Sequence, residues 1–273
     1  MPPHKPFPEK LFLGISPEPT SPELILDGPG AASRLLDFSV AMFLLLLCAP
    51  VLPWAAVAVK LTSAGPVFYR QERVGRGGRL FQIWKFRTMF TASGAGPLVT
   101  AQDDPRITPL GRHLRSWKLD ELPQLFNVLR GDMSLVGPRP QVLRFVDRFD
   151  PGLRRVVLSV RPGITGPTAL FFRHEEFLLS GQPQREQFYL SQIMPVKLQM
   201  DAEYVRRRSL PYDLQVLADT AHLVLSRLAG RAGSSSIPTA AELSVQQTAE
   251  LARQTAELAQ MVDMARSAVT RSA

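Results

Sequence analysis

The stretch that decides the fold class is FSVAMFLLLLCAPVLPWAAVAV, which runs from Phe38 to Val59. It contains no charged residue, and its length matches the roughly 20 residues that an α-helix needs to cross a bilayer. The segment before it contains Asp37 and several prolines, and no clear cleavage site follows it, which argues against a secretory signal peptide. The sequence therefore predicts a chain that stays in or on a membrane.

Two prolines divide this stretch near its middle. Pro50 and Pro53 each remove a backbone donor and crowd the preceding turn, so we expect the helix to kink or break there. Basic residues flank the stretch on both sides, with Arg34 before it and Lys60 and Arg70 after it. Because basic residues mark the cytoplasmic side, this pattern favours a re-entrant helix. A kinked single-pass helix is the alternative that the sequence leaves open.

Charge and cysteine content restrict the partners. The 273 residues carry a formal net charge of +8, which points to phosphate-rich partners such as nucleotides, nucleic acid or an anionic membrane face. The single cysteine, Cys48, excludes an internal disulfide. The sequence has no Walker A, HExxH or GxGxxG motif and no recognisable nucleic-acid-binding module. Nucleic acid is therefore not expected as a partner.

Strands and helices are both predicted after the membrane stretch. GPVFYRQERVGRGGRLFQIWKFRTM, from Gly65 to Met89, has two extended runs around GRGG, which favours a β-hairpin over a phosphate loop. Some of the helices that follow have an apolar stripe beside arginines and are expected either at an anionic interface or on a core. Helical spacing of apolar residues predicts them at 110–117, 122–129, 175–179, 184–207 and 212–228.

Two adjacent carboxylates, Asp120 and Glu121, stand in KLDELPQLFNVLRGDMSLVGPRP, residues 118–140. Since Pro123 favours the first turn of a helix, capping explains an isolated DELP. A phosphate-ester site is the second explanation, because bases can neutralise phosphates while carboxylates hold Mg²⁺ or attack phosphorus. The neighbouring charges that favour it are Arg112, Arg115, Lys118, Arg130, Asp132 and Arg139.

LVGPRP, from Leu135 to Pro140, holds Arg139 between two prolines. The stiff backbone presents this guanidinium with little conformational entropy left to lose, which suits a nucleotide diphosphate. A rigid connection between helices would use the same residues.

Together these motifs resemble the bacterial sugar transferases that initiate glycoconjugate assembly, the monotopic phosphoglycosyltransferases. The resemblance covers about 33–228 and is carried, in order, by SRLLDFSVAMFLLLLCAPVL, the hairpin segment, DDPRITPLGRHLRSWKLDELPQLFNVLRGDMSLVGPRP and RPGITG. It implies transfer of a sugar 1-phosphate from a UDP-sugar to polyprenyl (undecaprenyl) phosphate, with release of UMP. The implied place is the cytoplasmic face of the bacterial inner membrane, among membrane lipids, at the first membrane step of exopolysaccharide, O-antigen, capsule or glycoprotein glycan assembly.

The resemblance also implies a role for individual residues. Asp120 would be the nucleophile that forms a covalent phospho-sugar intermediate, and Glu121 would assist at a Mg²⁺ site. The metal ligands would be Asp120, Glu121 and Asp213. The substrate-binding residues would be Lys85, Arg87, Arg115, Pro138 and Arg139.

The expected fold is α+β and membrane-associated, with a re-entrant N-terminal helix, a small β-hairpin and several amphipathic interfacial helices around a compact catalytic domain. We expect a flexible tail at 1–32, the membrane helix at 33–60, the catalytic domain at 61–229, and a linker with an Ala/Gln-rich helix at 230–273. The duplicated heptad QTAELAR, QTAELAQ in this last part would either promote a homo-oligomer or form an exposed helix without a role in chemistry.

The sequence departs from the family pattern in two places. Ala49-Pro50 stands where relatives often have Ser-Pro at the break of the membrane helix. After RPGITG the chain continues with PTALFFRHEEFLLSGQ, at 167–182, in place of a Trp-Gln-type segment, and this region is expected to shape the sugar preference. A catalytically inactive, membrane-anchored scaffold of the same fold is the alternative, against which the intact Asp120, Glu121 and Arg139 argue.

Overall fold

The computed structural model describes residues 30–91 and 96–229. Helices and two small sheets alternate along the chain, which confirms the predicted α+β class. The strands are β1 (Phe68–Val74), β2 (Leu80–Phe86), β3 (Ser134–Val136) and β4 (Gly163–Thr165). The helices are α1 (Ala31–Cys48), α2 (Val51–Thr62), α3 (Pro109–Ser116), α4 (Gln124–Arg130), α5 (Leu143–Val146), α6 (Pro151–Val157), α7 (Pro167–Phe171), α8 (Glu175–Leu179), α9 (Arg185–Phe188), α10 (Met194–Arg207) and α11 (Leu210–Leu228).

The apolar stretch forms α1 and α2, which a short turn at Ala49 and Pro50 separates. Pro50 has no N–H and crowds the turn before it, whereas Pro53 falls in the first turn of α2, where a proline is tolerated. The predicted break is therefore confirmed. Within the described residues, α1 is the one helix long and apolar enough to cross a membrane, and α2 is a shorter apolar helix.

Most apolar side chains of α1 and α2 face outward, and Trp54 is 75% exposed. Such a continuous apolar surface favours association with a membrane. The large exposed side chains of this surface are Leu35, Phe38, Phe43, Leu46, Leu47, Val51, Trp54, Val57 and Leu61.

The inner faces of both helices pack on the same body of the protein. Ala41 of α1 belongs to the main core, with Leu125 and Val128 of α4. Val59 of α2 packs in a second cluster with Phe86 at the end of β2. The two halves of the apolar segment are thus fixed to neighbouring elements.

The predicted hairpin is present. β1 and β2 pair antiparallel from Phe68 opposite Phe86 to Val74 opposite Leu80. In the connecting GRGG, Gly77 has φ 65°, the left-handed conformation that glycine adopts without steric cost. The side chain of Asn127 on α4 accepts from the Trp84 amide at 3.2 Å and donates to the Gln82 carbonyl at 2.8 Å, which holds β2 against α4.

The LVGPRP and RPGITG motifs are joined as a parallel pair. Ser134 and Val136 of β3 stand opposite Gly163 and Thr165 of β4. The Gly137 amide donates to the Thr165 carbonyl at 2.9 Å. A Cβ on Gly163 would overlap backbone atoms of Gly137, so these two glycines permit the close approach of the strands.

The helix predictions are confirmed at α3, α4, α8 and α11, and Gly131, with φ 89°, ends α4 as expected. The helix predicted at 184–207 is also present, from Arg185 to Arg207, as α9, a π-helical turn at Tyr189–Ile193, and α10. Pro195 explains the interruption, because it cannot donate to the carbonyl four residues earlier, which lies in the π turn. Residues 1–29 of the predicted tail and the linker and helix predicted at 230–273 lie outside the described residues.

Replacing Gly163 by Ala should lower the free energy of unfolding by about 1–3 kcal/mol, because the new methyl group meets backbone that cannot rotate away. Gly77→Asn is the matched control, since Asn tolerates a left-handed backbone and no atom lies within 4 Å of a Cβ there. Chemical denaturation in detergent measures both. Equal midpoints for G163A and the wild type would contradict the close β3–β4 approach.

Candidate active site

Asp120 and Glu121 lie in a 3-10 turn, Leu119–Glu121, between α3 and α4. The chain enters this turn through Lys118, whose φ of 56° is left-handed. Neither carboxylate caps α4, because the residue before the helix is Pro123 and no side chain bonds to the helix start. The capping interpretation is therefore wrong. The two side chains are instead buried in the body of the protein, at 5% and 8% exposure.

Glu121 is held by two cations. Lys85 of β2 donates to Glu121 Oε1 at 2.8 Å, and Arg139 grips both carboxylate oxygens, with Nη1 3.2 Å from Oε2 and Nη2 on Oε1. Burial alone would raise the pKa of Glu121, but Arg139 and Lys85 outweigh burial and hold it well below its usual range. Glu121 is therefore an ionised, fully engaged carboxylate.

Asp120 differs from Glu121 in its hydrogen bonding and in the direction of its pKa shift. Its Oδ1 atom is buried and has no hydrogen-bond partner among residues 30–91 and 96–229. Burial is the main cause that raises the pKa of Asp120, and the negative charge of Glu121 adds to it. A buried carboxylate oxygen without a partner is costly and marks a position where a ligand is expected. Three cations act on Asp120 in the other direction, namely Lys85, Arg115 and Lys118.

The site contains a further guanidinium, that of Arg73, which the sequence analysis did not identify as a site residue. Arg73 of β1 donates to the Pro140 carbonyl at 3.1 Å and thereby holds the loop that presents Arg139. Burial, followed by the charge of Arg139, lowers the pKa of Arg73 to about 10. The predicted hairpin could have indicated Arg73. Alternate residues of a strand share a face, so Arg73 lies on the same face of β1 as Tyr69. Tyr69 stands opposite Lys85, which places Arg73 and Lys85 on one face of the hairpin.

The FRHEEFLL segment is tied to the site at two points. Glu175 pairs with Lys197 of α10 at 2.6 Å, and Glu176 pairs with Arg115 of α3. Lys197 is buried, and although burial lowers its pKa, Glu175 and then Tyr189 reverse the shift and raise it. These contacts have no local sequence signal, because each joins residues far apart in the chain.

Asp201 is a further buried carboxyl on α10. Burial raises its pKa to about 6, while the charge of Lys197 acts against the shift. Asp201 and Lys197 line a small cavity together with Pro138 and Arg139.

The structure brings together six of the eight predicted site residues and places two elsewhere. Arg87 donates to the Ser63 carbonyl at 2.6 Å and to the Val59 carbonyl at 3.3 Å, which caps the C-terminus of α2. Asp213 at the start of α11 accepts from Tyr204 at 2.5 Å and from Arg208 at 3.1 Å. The residues brought together are Asp120, Glu121, Lys85, Arg139 with the adjacent Pro138, and, on the Asp120 side, Arg115.

The three carboxylates predicted to share a Mg²⁺ do not form a ligand set. Across 30–91 and 96–229, no three His, Cys, Asp or Glu side chains are grouped to hold a metal. Glu121 is occupied by two cations and Asp213 belongs to another network. Asp120, with its open Oδ1, fits the mode in which Mg²⁺ takes one carboxylate and completes its shell with substrate phosphates and water. Mg²⁺ stays a prediction on that basis.

Comparison with known proteins identifies relatives of the whole described region. The profile of the family described as bacterial sugar transferase matches residues 29–227. Over 222 residues the chain is 36% identical to a UDP-glucose:undecaprenyl-phosphate glucose-1-phosphate transferase of Caulobacter vibrioides, covering 80% of this chain and 78% of that protein. The protein of the same name from Escherichia coli is 38% identical over 188 residues, which is 67% of this chain.

A relative with a different donor in its name is equally similar. The UDP-N-acetylgalactosamine-undecaprenyl-phosphate N-acetylgalactosaminephosphotransferase of Aeromonas hydrophila is 36% identical over 201 residues, or 72% of this chain. The matched regions span 38% of the Escherichia coli protein and 44% of the Aeromonas hydrophila protein, so both relatives are considerably longer than the part they share with this chain.

The two carboxylates should respond oppositely to loss of charge. Glu121→Gln removes the negative charge that Lys85 and Arg139 share, and we expect it to lower the free energy of unfolding by about 2 kcal/mol. This is less than for a fully buried ion pair, because Lys85 and Arg139 are partly exposed. Asp120→Asn removes a buried charge whose Oδ1 has no partner, so it should leave stability unchanged or raise it. Denaturant unfolding of both variants in one detergent tests this. Equal destabilisation would contradict the assigned pairing.

Proposed function

The chain belongs to the bacterial sugar transferase family, and from this premise we propose that it transfers a sugar 1-phosphate from a UDP-sugar to polyprenyl phosphate and releases UMP. The names of its relatives support both substrates, since they specify undecaprenyl phosphate as acceptor and UDP-glucose or UDP-N-acetylgalactosamine as donor. The product, a polyprenyl diphosphate sugar, would serve as the first lipid-linked intermediate in the assembly of a glycoconjugate.

The observation that carries the proposal is the unequal state of the two acids. Glu121 is neutralised by Lys85 and Arg139, whereas Asp120 has a buried oxygen without a partner. A nucleophilic carboxylate needs a free lone pair and an environment that accepts phosphate charge. Asp120 meets both conditions, because its cationic neighbours act on it without taking up Oδ1.

The proposed reaction has two displacements at one phosphorus atom. First, an oxygen of Asp120 attacks the phosphorus that bears the sugar, the bond to the UMP oxygen breaks, and an aspartyl phospho-sugar forms. Then a phosphate oxygen of the polyprenyl phosphate attacks the same phosphorus, the bond to Asp120 breaks, and the carboxylate is restored. Dividing the transfer into two steps lets both substrates use one site in turn.

The basic residues would hold the phosphates during these steps. The Arg139 side chain is 31% exposed while it fixes Glu121, so this cation would be accessible to a phosphate of the donor. Lys85 and Arg115 flank Asp120 and would balance charge on the oxygens that leave and enter. Mg²⁺, when bound, would neutralise charge on the donor diphosphate.

We also infer that the apolar segment is re-entrant and that the site faces the cytoplasm at the inner membrane. Two contacts support this topology. At the start of the segment, Arg34 donates to the Leu129 carbonyl of α4 at 3.1 Å, and at its end Arg87 caps α2. Both ends of the segment are thereby attached to the body that carries Asp120, as a segment that leaves and returns on one side requires.

Asp120→Asn should reduce UMP release by about 10⁴-fold or more and abolish covalent labelling by a UDP-sugar, because the amide is a poor nucleophile. The assay combines purified protein, Mg²⁺, undecaprenyl phosphate and a panel of UDP-sugars. Asp103→Asn is the control, since Asp103 pairs with Arg185 at the surface and should leave turnover unchanged. Near-normal turnover of D120N would remove Asp120 from the nucleophile role, and no UMP from the wild type with any donor would refute the proposed function.

Cysteine labelling tests the topology. In a Cys48→Ser background, Ala32→Cys in the first turn of α1 and Ala64→Cys after α2 place single thiols at exposed positions on the two sides of the apolar segment. A re-entrant segment predicts that a membrane-impermeant maleimide labels neither thiol in intact spheroplasts and both after lysis. Labelling of just one of them in intact spheroplasts would show that the segment spans the membrane.

A further inference from the structure

A buried carboxylate lies on the inner side of α1, directly before the uncharged apolar stretch. Asp37 lies on α1, two turns into the membrane-facing helix, and is 4% exposed. An ionisable residue within such a segment is costly and is kept where it has specific partners. The chemistry proposed above makes no use of it, so its partners indicate what it does.

Those partners are both on β3. The Ser134 hydroxyl donates to Asp37 Oδ2 at 2.7 Å, and the Leu135 amide donates to Oδ1 at 2.9 Å. β3 ends at Val136, and the Gly137–Arg139 loop that reaches Glu121 follows directly. The membrane helix is therefore bonded directly to the strand that leads into the active site.

α11 is connected to β3 as well, through Arg208 and Asp213. Arg208 donates to Ser134 Oγ at 3.4 Å and to Asp213 Oδ2 at 3.1 Å, and Tyr204 donates to the other oxygen of Asp213. Asp213 lies in the first turn of α11. Outer side chains of this helix, such as Leu214 and Leu225, are apolar and exposed. Two helices with apolar outer surfaces thus meet at Ser134 through one continuous polar network.

β3 does not need Asp37 to keep its shape. Its other edge is bonded to β4, with the Ser134 amide on the Pro162 carbonyl at 2.8 Å, and the loop after it is held by the Gly163 amide on the Pro138 carbonyl at 2.8 Å. Loss of Asp37 would therefore leave Arg139 in place within the body. Loss of Asp37 would instead leave the angle and the height of the catalytic body relative to α1 less firmly fixed.

We propose that Asp37 is a positioning residue that fixes the catalytic body relative to the membrane helix, so that Asp120 meets the lipid-borne phosphate at the right depth. This inference rests on the proposed function. UDP-sugar arrives from water at any orientation of the body, whereas the phosphate of a polyprenyl chain is confined to the headgroup layer. The residue should consequently matter for the second displacement and not for the first.

The test measures the two displacements separately in lipid nanodiscs. The first is the burst of UMP and of covalent intermediate without acceptor, and the second is the decay of that intermediate after addition of undecaprenyl phosphate. For Asp37→Ala we expect the acceptor step to slow by about 10- to 100-fold while the first step stays within about threefold. Asp37→Asn, which keeps an acceptor for the Leu135 amide, should restore part of the loss.

Two further variants separate positioning from simple destabilisation. Val157→Ala removes buried side-chain volume from a cluster that contains neither Asp37 nor Asp120, and it should affect both steps alike. Ser134→Ala removes the shared hydroxyl without altering α1, and it should reproduce the selective loss even if D37A fails to fold. Equal slowing of both steps in D37N and S134A, or no slowing in either, would overturn the inference. A wild type that forms no intermediate would instead refute the proposed function.

Discussion

The ion pairs of Glu121 are the interaction on which the rest of the site depends. One carboxylate joins three segments that are distant in the chain: the hairpin through Lys85, the turn that carries the acids, and the rigid loop through Arg139. Because the group of charges is mostly removed from water, leaving any member unpaired would be costly. The same pairing commits both cations to Glu121, and this leaves Asp120 beside bases but not bonded to them. The difference between two adjacent acids is thus produced by their partners.

Local patterns of the sequence were sufficient for the hairpin, for several helices and for the centre of the site. The glycines of the GRGG turn, the stop at Gly131 and the apolar spacing of α3, α4 and α11 each act within a few residues, and the structure has them where they were expected. Asp120, Glu121 and Arg139 were recognisable because they share one continuous motif. Lys85 was implied by the family resemblance alone, and the strand register of the structure places it opposite Tyr69.

The remaining assignments needed tertiary information. Arg87 and Asp213 carry the right charges for phosphate or metal, but the fold directs them to a helix end and to a tyrosine and arginine. Lys197 has no feature in its own neighbourhood that distinguishes it from a surface lysine, and only packing of α10 buries it against Glu175. The π turn before α10 was not predicted, because the apolar spacing that indicated a helix at 184–207 does not distinguish a π-helical turn from an α-helical one.

The two adjacent acids of α8 constrain how this protein can diverge from its relatives. Glu175 and Glu176 are fastened to different elements, one to Lys197 on α10 and the other to Arg115 on α3. A segment exchanged as a block between two family members would bring its own acids but not the bases that receive them. Changes in this segment are therefore expected to be inherited together with changes at both bases. In an engineered chimera, the exchangeable unit is the segment with its two distant anchors, not the contiguous stretch of chain.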